Sequence, residues 1–202
     1  MKTTIYLIRH GVTDWNELGR YQGSTDIPLN KKGVEEAIQV GKELAHIPFS
    51  TLYSSPLIRA HATAREIAKY HDLPIQLVDD LKERSYGDYE GMTFDEIERQ
   101  PYFQKHLRKN WYLEGAPNGE SFEESTNRIG KALESILLKH VNETIGIVAH
   151  GGVIKSVGHH IGHIAKEHVA KVVIPNATPV QIEYLHNENR YNVIDFPKTI
   201  RK

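Results

Sequence analysis

The alternation of short apolar runs with longer helical segments is the feature that most constrains this fold. Short β-branched or aromatic runs predict strands, and they occupy residues 4–8, 51–54, 75–78, 144–149, 180–184 and 192–194. Apolar residues at helical spacing predict helices over residues 34–45, 57–70 and 122–140. Strands that alternate with helices are typical of an α/β fold. We therefore expect three layers, α/β/α, around a mostly parallel central sheet.

Capping residues mark the predicted helix starts. Asn30 is a good N-cap, and Thr93 with Glu96 and Ser121 with Glu124 have the spacing of capping boxes. Residues 85–120 interrupt the alternation, since they carry glycine, proline and several aromatic side chains. We interpret residues 85–120 as a helical insertion that caps the ligand-binding edge of the sheet. The 202 residues are then expected to form one domain, 1–202.

Composition narrows the classes of function. The formal net charge is −1, so no global field favours nucleic acid or an anionic membrane as a partner. Cysteine is absent, which excludes disulfides, thiolate metal sites and cysteine nucleophiles. No apolar run is long enough for a membrane span or a signal sequence. These features predict a cytoplasmic protein, which we expect to be a monomer or a homodimer. The basic residues Lys198, Arg201 and Lys202 are interpreted as a solvated terminus.

Polar motifs directly follow three of the predicted strands. They are Arg9-His10-Gly11, the segment 54–59 that ends in Arg59, and His150-Gly151-Gly152. The carboxyl ends of parallel strands share one edge of a sheet, and ligands bind in the crevice there. Two histidines and two arginines are therefore expected to converge on one site.

This set of side chains suits a phosphoryl group. Guanidinium is always charged and matches phosphate oxygens with a planar fork. Neutral imidazole is a competent nucleophile near neutral pH, and a carboxylic acid is then needed to protonate the leaving oxygen. Glu83 is the candidate acid because it follows the third strand, but spacing alone leaves four competitors open: Asp79, Asp80, Asp88 and Glu90.

The same motifs carry a family resemblance. Residues 7–16 (LIRHGVTDWN), 19–23, 54–60 (SSPLIRA), Glu83 with Glu90-Gly91, 119–121 and 148–152 (VAHGG) occur in order along nearly the whole chain. In this it resembles the histidine phosphatase superfamily, the family of cofactor-dependent phosphoglycerate mutases and related phosphatases. Val12 and Asn30 depart from the residues common in the family, at positions that are not catalytic there.

The resemblance implies a role for each matching residue. His10 would be phosphorylated, and Glu83 would act first as proton donor and then as base for water. Arg9, Arg59 and His150 would hold the phosphoryl oxygens. Further substrate-binding candidates are Asn16, Gln22, Gly23, Gly151, Arg84 and Tyr86. The family needs no metal, and its substrates are small phosphorylated molecules; for this chain we expect no cofactor.

Three functions remain open at this point. The first is a broad-specificity phosphomonoesterase, the second a phosphoglycerate mutase, and the third a regulatory module that binds phosphate ligands without turnover. The mutases that the chain resembles carry an adjacent arginine pair and a lysine in the cap. Here residues 93–120 offer only dispersed cations, among aromatic side chains: Arg99, Lys105, Arg108 and Lys109. A pocket with few cationic side chains and many aromatic rings should bind bulky or aromatic phosphoesters better than phosphoglycerate. The cap sequence therefore favours the phosphatase over the mutase.

A histidine cluster offers a separate reading. His159 and His163 are four residues apart and would share one face of a helix if the helix continued through Gly162. No third ligand is evident from the sequence, so the expectation is that the protein holds no metal.

Overall fold

A computed structural model describes residues 1–197, and the basic residues at 198, 201 and 202 lie outside this range. Within it one six-stranded sheet forms. Its strands are β1 (Lys2–Arg9), β2 (Thr51–Ser54), β3 (Ile75–Leu77), β4 (Thr144–Ala149), β5 (Pro179–Leu185) and β6 (Arg190–Asp195). The order is β3-β2-β4-β1-β5-β6, with β1 to β4 mutually parallel and β5 antiparallel to both of its neighbours. The predicted α/β fold with a mostly parallel sheet is confirmed.

The helices of residues 1–197 differ widely in length. They are α1 (Asp14–Glu17), α2 (Lys31–Leu44), α3 (Ile58–Ala68), α4 (Phe94–Glu98), α5 (Arg108–Asn110), α6 (Phe122–Leu137) and α7 (Gly151–His160), with a π-helical turn over Phe103–Leu107. The predicted caps are present: Asn30 accepts from the Gly33 N–H, and both capping boxes form. Over residues 1–197, none of these helices has both the length and the apolar character that spanning a bilayer requires.

Each face of the sheet is covered by a pair of helices. Because side chains alternate along a strand, Leu7 of β1 packs with Leu133 of α6 and Ile154 of α7, whereas Ile8 packs on the opposite face. That second core contains Val40 of α2 and residues of α3. Burying one such aliphatic side chain contributes roughly 1.5–3 kcal/mol, so both cores hold the predicted three layers together.

The N-terminus of α2 presses against the loop that follows β1. A Cβ atom on Gly33 would lie 1.9 Å from the Val12 carbonyl oxygen, and one on Gly11 would lie 2.3 Å from the Gly33 carbonyl oxygen. This close approach turns Gly33 inward. The apolar spacing over residues 34–45 predicted that Val34 would be buried, but its side chain is 43% exposed. The loop after His10 therefore packs directly against the N-terminus of α2.

Residues 85–120 add no strand to the sheet, and they contain α4, the π-helical turn and α5. They build a small core of their own from Tyr89, Ile97, Leu107 and Ala116. Trp111 and Tyr112 attach this insertion to the main body by packing against Phe122, with ring centroids 5.4 and 5.7 Å away.

Candidate active site

The polar motifs meet at the carboxyl edge of the sheet. Strands β2, β4 and β1 are adjacent and parallel, so the segments that follow them lie side by side. The rings of His10 and His150 are 5.2 Å apart between centroids. A cavity of about 840 Å³ opens here, and Arg9, His10 and Arg59 all line it. The structure therefore brings together side chains that lie up to 141 positions apart in the sequence (9 to 150).

His10 is held in one orientation and in its neutral form. Its Nδ1 lies 2.6 Å from the carbonyl oxygen of Gly11, and a carbonyl oxygen can only accept, so Nδ1 carries the proton and donates. Burial, and after it the charges of Arg9 and Arg59, hold the pKa of His10 well below its ordinary value. Nε2 is therefore left unprotonated, with its lone pair free to accept or to act as a nucleophile.

His150 lies next to His10 and is fully buried. Its Nε2 is 2.8 Å from the hydroxyl oxygen of Ser55, while its Nδ1 has no hydrogen-bond partner among the described residues. Burial, followed by the nearby charge of Arg59, holds the pKa of His150 well below its ordinary value. The imidazole is therefore neutral, and its Nδ1 is buried without a hydrogen-bond partner among residues 1–197, although His150 is not among the residues that line the cavity.

Arg59 is fixed by two backbone carbonyls. It lies in the first turn of α3 and donates from Nη1 to the Thr25 oxygen at 2.8 Å and from Nη2 to the Gly23 oxygen at 2.7 Å. Burial lowers the pKa of this side chain, and nearby carboxylates, chiefly that of Glu83, oppose the shift. A guanidinium stays charged under these conditions. Arg9, which also lines the cavity, donates from Nη1 to the Ile174 oxygen at 2.5 Å.

The structure separates Glu83 from three of its competitors. Glu83 lines the cavity, and its Oε2 accepts from the Gly152 N–H at 2.9 Å. By contrast, Asp79 pairs with Lys82 and is 79% exposed, whereas Asp80 and Asp88 are exposed and are absent from the cavity wall. Of these four carboxylates, Glu83 alone lines the cavity.

Glu90, the fourth competitor, is fully engaged in backbone contacts. Its carboxylate accepts the N–H groups of Ser24 and Thr25 at 2.9 Å and of Tyr86 at 3.0 Å, as well as the Thr25 hydroxyl. Burial acts to raise its pKa, but these hydrogen bonds outweigh it, and the pKa lies below the ordinary value. Glu90 thus fixes the segment whose carbonyl groups hold Arg59.

The remaining predicted binding residues take different positions around the cavity. Asn16, Gln22, Gly23 and Gly151 all line it. Asn16 uses its Oδ1 to accept from Thr13 N at 3.1 Å, and the Nδ2 of Asn176 donates both to this oxygen, at 3.3 Å, and to the His10 carbonyl, at 2.9 Å. Asn176 therefore links the loop after β1 to the segment before β5.

The outer part of the cavity combines rings with cations. Arg84 lies over the rings of Tyr86 and Phe122, with its Cζ 4.7 and 5.8 Å from their centroids. Of the aromatic residues in the cap, Tyr86, Phe94 and Trp111 line the cavity. The others pack elsewhere; for example, Tyr102 stacks on His106 at 4.6 Å. The aromatic surface of the entrance therefore comes partly from the cap and partly from the main body.

Sequence reasoning missed several lining residues. The expectation of a cation-poor pocket is right for the cap, whose arginines and lysines are absent from the wall. It is wrong for the cavity, because Arg20 and Lys155, which were not predicted, line it together with the predicted Arg84. Lys155 stands one helical turn after Gly151 on α7, a spacing that was available in the sequence. Phe94 also lines the cavity and is 48% exposed.

The histidine cluster after α7 has other contacts. The helix ends at His160, so His159 and His163 do not share a helix face as the sequence suggested. The two ring nitrogens of His159 contact the Tyr112 hydroxyl and the Ile164 carbonyl oxygen, at 3.2 and 2.8 Å. Across residues 1–197, no three histidine, aspartate or glutamate side chains are grouped as metal ligands would be.

Comparison with known proteins agrees with this architecture. The sequence profile of the histidine phosphatase superfamily (branch 1) matches residues 5–195. The chain is 40% identical over 155 residues to the uncharacterized phosphatase PhoE of Bacillus subtilis, and the match covers 77% of this chain and 75% of that protein. It is 31% identical over 192 residues to a 2,3-bisphosphoglycerate-dependent phosphoglycerate mutase of Bartonella bacilliformis, covering 91% and 93%.

A solved structure gives the same result at the level of the fold. A mutant of phosphoserine phosphatase from Entamoeba histolytica, in complex with phosphoserine, superposes with a TM-score of 0.87 at 30% identity and 97% coverage of both chains. The profile match, the sequence relatives and the shared fold together show that this chain belongs to the histidine phosphatase superfamily.

Proposed function

We propose that the protein hydrolyses phosphomonoesters through a phosphohistidine intermediate on His10. The observation that carries this is the state of His10 itself. Its proton is held on Nδ1 by the Gly11 carbonyl oxygen at 2.6 Å, and its pKa is lowered by burial and by two arginines. A neutral ring with Nε2 unprotonated, close enough to two guanidiniums to feel their charge, is a nucleophile prepared for an anionic phosphoryl group.

The first half-reaction transfers the phosphoryl group to the enzyme. Nε2 of His10 forms a bond to phosphorus while the bond from phosphorus to the ester oxygen breaks. Protonated Glu83 gives its proton to the leaving alcohol. Arg9, Arg59 and Nδ1 of His150 bind the phosphoryl oxygens and stabilise the charge that spreads over them in the transition state.

The second half-reaction returns the enzyme to its starting state. Glu83, now a carboxylate, accepts a proton from water as that water attacks phosphorus, and the bond to Nε2 breaks with release of inorganic phosphate. Asn16, Gln22, Gly23 and the Gly151 backbone complete the phosphate pocket. No step needs a metal, because the guanidinium groups supply the positive charge and the neutral imidazole of His150 adds a hydrogen-bond donor.

The leaving group binds in the outer cavity in this proposal. Tyr86, Phe94, Trp111 and Phe122 offer ring surfaces, and Arg84 lies among them. This mixture suits small phosphorylated metabolites of varied structure, with bulky or aromatic leaving groups favoured. Residues 85–120 then serve as the cap of one domain, 1–202, consistent with the profile match over 5–195.

A mutase is the second candidate. Phosphoglycerate carries a carboxylate as well as a phosphate, and Arg20, Arg84 and Lys155 put additional positive charge into the cavity wall. The phosphatase is better supported because none of the cap cations reaches that wall. A binding module without turnover is disfavoured, since binding alone needs neither a nucleophile nor an acid.

One assay separates the three functions. Purified protein is incubated in EDTA with a chromogenic aryl phosphate and, separately, with 3-phosphoglycerate and a bisphosphate primer. Release of phosphate from the aryl ester supports the phosphatase, and primer-dependent isomerisation of phosphoglycerate supports the mutase. If neither reaction exceeds that of a His10→Ala control, turnover is excluded and the proposal fails.

A further inference from the structure

Ser55 is a buried hydroxyl residue in contact with His150. It follows β2 directly, and its backbone N–H donates to the Val148 carbonyl oxygen at 3.0 Å, which fixes its position. The Oγ atom lies 2.8 Å from Nε2 of His150 and accepts the Leu57 N–H at 3.3 Å. Both Ser55 and His150 have no exposed surface.

These contacts determine where the hydroxyl proton goes. Oγ already accepts from Leu57, and Nε2 of His150 is the one acceptor that the described residues place within hydrogen-bond distance of it. If Nε2 carried the ring proton, the Ser55 O–H would be a buried donor without an acceptor, an arrangement that folded proteins avoid. The consistent assignment is that Ser55 donates to Nε2.

The assignment fixes the second nitrogen of the ring. Burial and then Arg59 hold the pKa of His150 well below its ordinary value, so the ring carries a single proton. A neutral imidazole has one donor nitrogen and one acceptor nitrogen. With Nε2 as the acceptor, Nδ1 must be the donor, and Nδ1 is the nitrogen that has no partner among residues 1–197.

We propose that Ser55 is a positioning residue, whose hydroxyl holds the proton of His150 on Nδ1 so that this N–H donates to the phosphoryl group. The role in catalysis rests on the proposed function, because the donor matters only if His10, 5.2 Å away between ring centroids, carries or receives that group. With the opposite tautomer, a lone pair would face the phosphoryl oxygens and repel them.

The tautomer can be measured without substrate. In protein with ¹⁵N-labelled histidine rings, long-range ¹H–¹⁵N correlation distinguishes protonated from unprotonated ring nitrogens, and a His150→Gln variant identifies the His150 signals. We expect a protonated Nδ1 in the wild type and a mixed or reversed pattern in Ser55→Ala. A protonated Nε2 in the wild type, or an unchanged pattern in Ser55→Ala, would overturn the proposal.

Kinetics add a second readout with a matched control. Ser54 is equally buried, but its hydroxyl donates to the Ser55 carbonyl oxygen and not to His150. We expect Ser55→Ala to lower kcat/KM for an aryl phosphate by about 10- to 100-fold, the range seen when partners that orient functional histidines at metal sites are removed. Ser54→Ala should stay close to wild type, and equal losses in both variants would contradict a specific role.

The two proposals fail in different ways. A wild type that releases no phosphate disproves the proposed function but leaves the tautomer measurable. An active wild type with its His150 proton on Nε2 disproves only the role of Ser55. Ser55→Thr retains the hydroxyl and should restore the wild-type tautomer, and the wild-type spectrum decides the question even if Ser55→Ala does not fold.

Discussion

Glu83 and Gly152 are joined by a hydrogen bond of 2.9 Å from the Gly152 N–H to Oε2 of the carboxylate. Oε1 of the same carboxylate accepts the Arg84 N–H, also at 2.9 Å. Gly152 stands in the first turn of α7, two residues after His150. The candidate acid is therefore held by the helix that begins at the second histidine, which couples two parts of the site far apart in sequence.

Gly152→Ala tests this coupling. A Cβ atom at residue 152 would lie 2.2 Å from Oε1 of Glu83, so the carboxylate must move. We expect kcat/KM to fall by about 10- to 100-fold, in line with the effect of displacing a catalytic group by about 1 Å. Circular dichroism establishes that the variant is folded, and unchanged kinetics would show that the position of Glu83 is unimportant.

Glu83→Gln tests the role of the acid. Alkyl phosphates have poor leaving groups that need protonation, so their kcat should fall by about 10²- to 10⁴-fold. Aryl phosphates leave without much protonation and should lose far less. The measurement is kcat for a series of esters graded by the pKa of the leaving alcohol. Equal losses across the series would assign the proton donor to another carboxylate.

Glu90→Gln tests the support of Arg59. Loss of the charge weakens the contacts to the Ser24 and Thr25 N–H groups, so the carbonyl groups that hold Arg59 become less fixed. We expect weaker competitive inhibition by inorganic phosphate, by about 10-fold, since a charge-assisted hydrogen bond contributes about 1.5–3 kcal/mol and only part of this reaches Arg59.

A matched control for Glu90 is its neighbour Asp88. Its carboxylate is exposed and accepts from Asn118 at 3.0 Å, away from Arg59. Asp88→Asn should therefore bind phosphate as the wild type does. Phosphate inhibition that is the same in the wild type and both variants would contradict a role for Glu90 in fixing the pocket.

The two buried histidines predict a loss of stability in acid. Burial, and after it nearby arginine charge, holds the pKa of both His10 and His150 well below 6.5, the ordinary value to which they return on unfolding. Well above pH 6.5 the rings are neutral in both the folded and the unfolded state, so the contribution of the two histidines to the free energy of unfolding is constant. As the pH falls below that value the unfolded chain binds protons that the folded chain does not, so the free energy of unfolding decreases.

Urea unfolding between about pH 7.5 and about pH 5.5 measures this effect. Each histidine lowers the free energy of unfolding by at most about 1.4 kcal/mol per pH unit within its window. His10→Gln should reduce the slope of the free energy of unfolding against pH by the contribution of one histidine. A free energy of unfolding that does not change below pH 6.5, or rises, would show that these rings are protonated in the folded state.

The sheet and the convergence of the motifs were predictable because they depend on local pattern. The runs at β1 and β4 are apolar and β-branched, and parallel strands necessarily place Arg9-His10 and His150 at one edge. Capping at Asn30, Thr93 and Ser121 was equally local, since the side chain bonds to an N–H three residues away.

The remaining features depend on tertiary contacts between distant segments. The bond from Ser55 to His150 joins residues 95 positions apart, and Glu90 reaches Thr25 across 65 positions. No sequence spacing specifies such pairs. The inward rotation of Gly33 likewise follows from its contact with Val12, which the apolar periodicity of α2 could not indicate.

The most direct test of the whole account is to find the phosphoryl group on the enzyme. Rapid mixing with labelled substrate, an alkaline quench and peptide mass spectrometry locate any covalent phosphate. The account predicts acid-labile, alkali-stable phosphate on the ring of His10, and none in His10→Ala. Covalent phosphate on another side chain, or full turnover by His10→Ala, would contradict it.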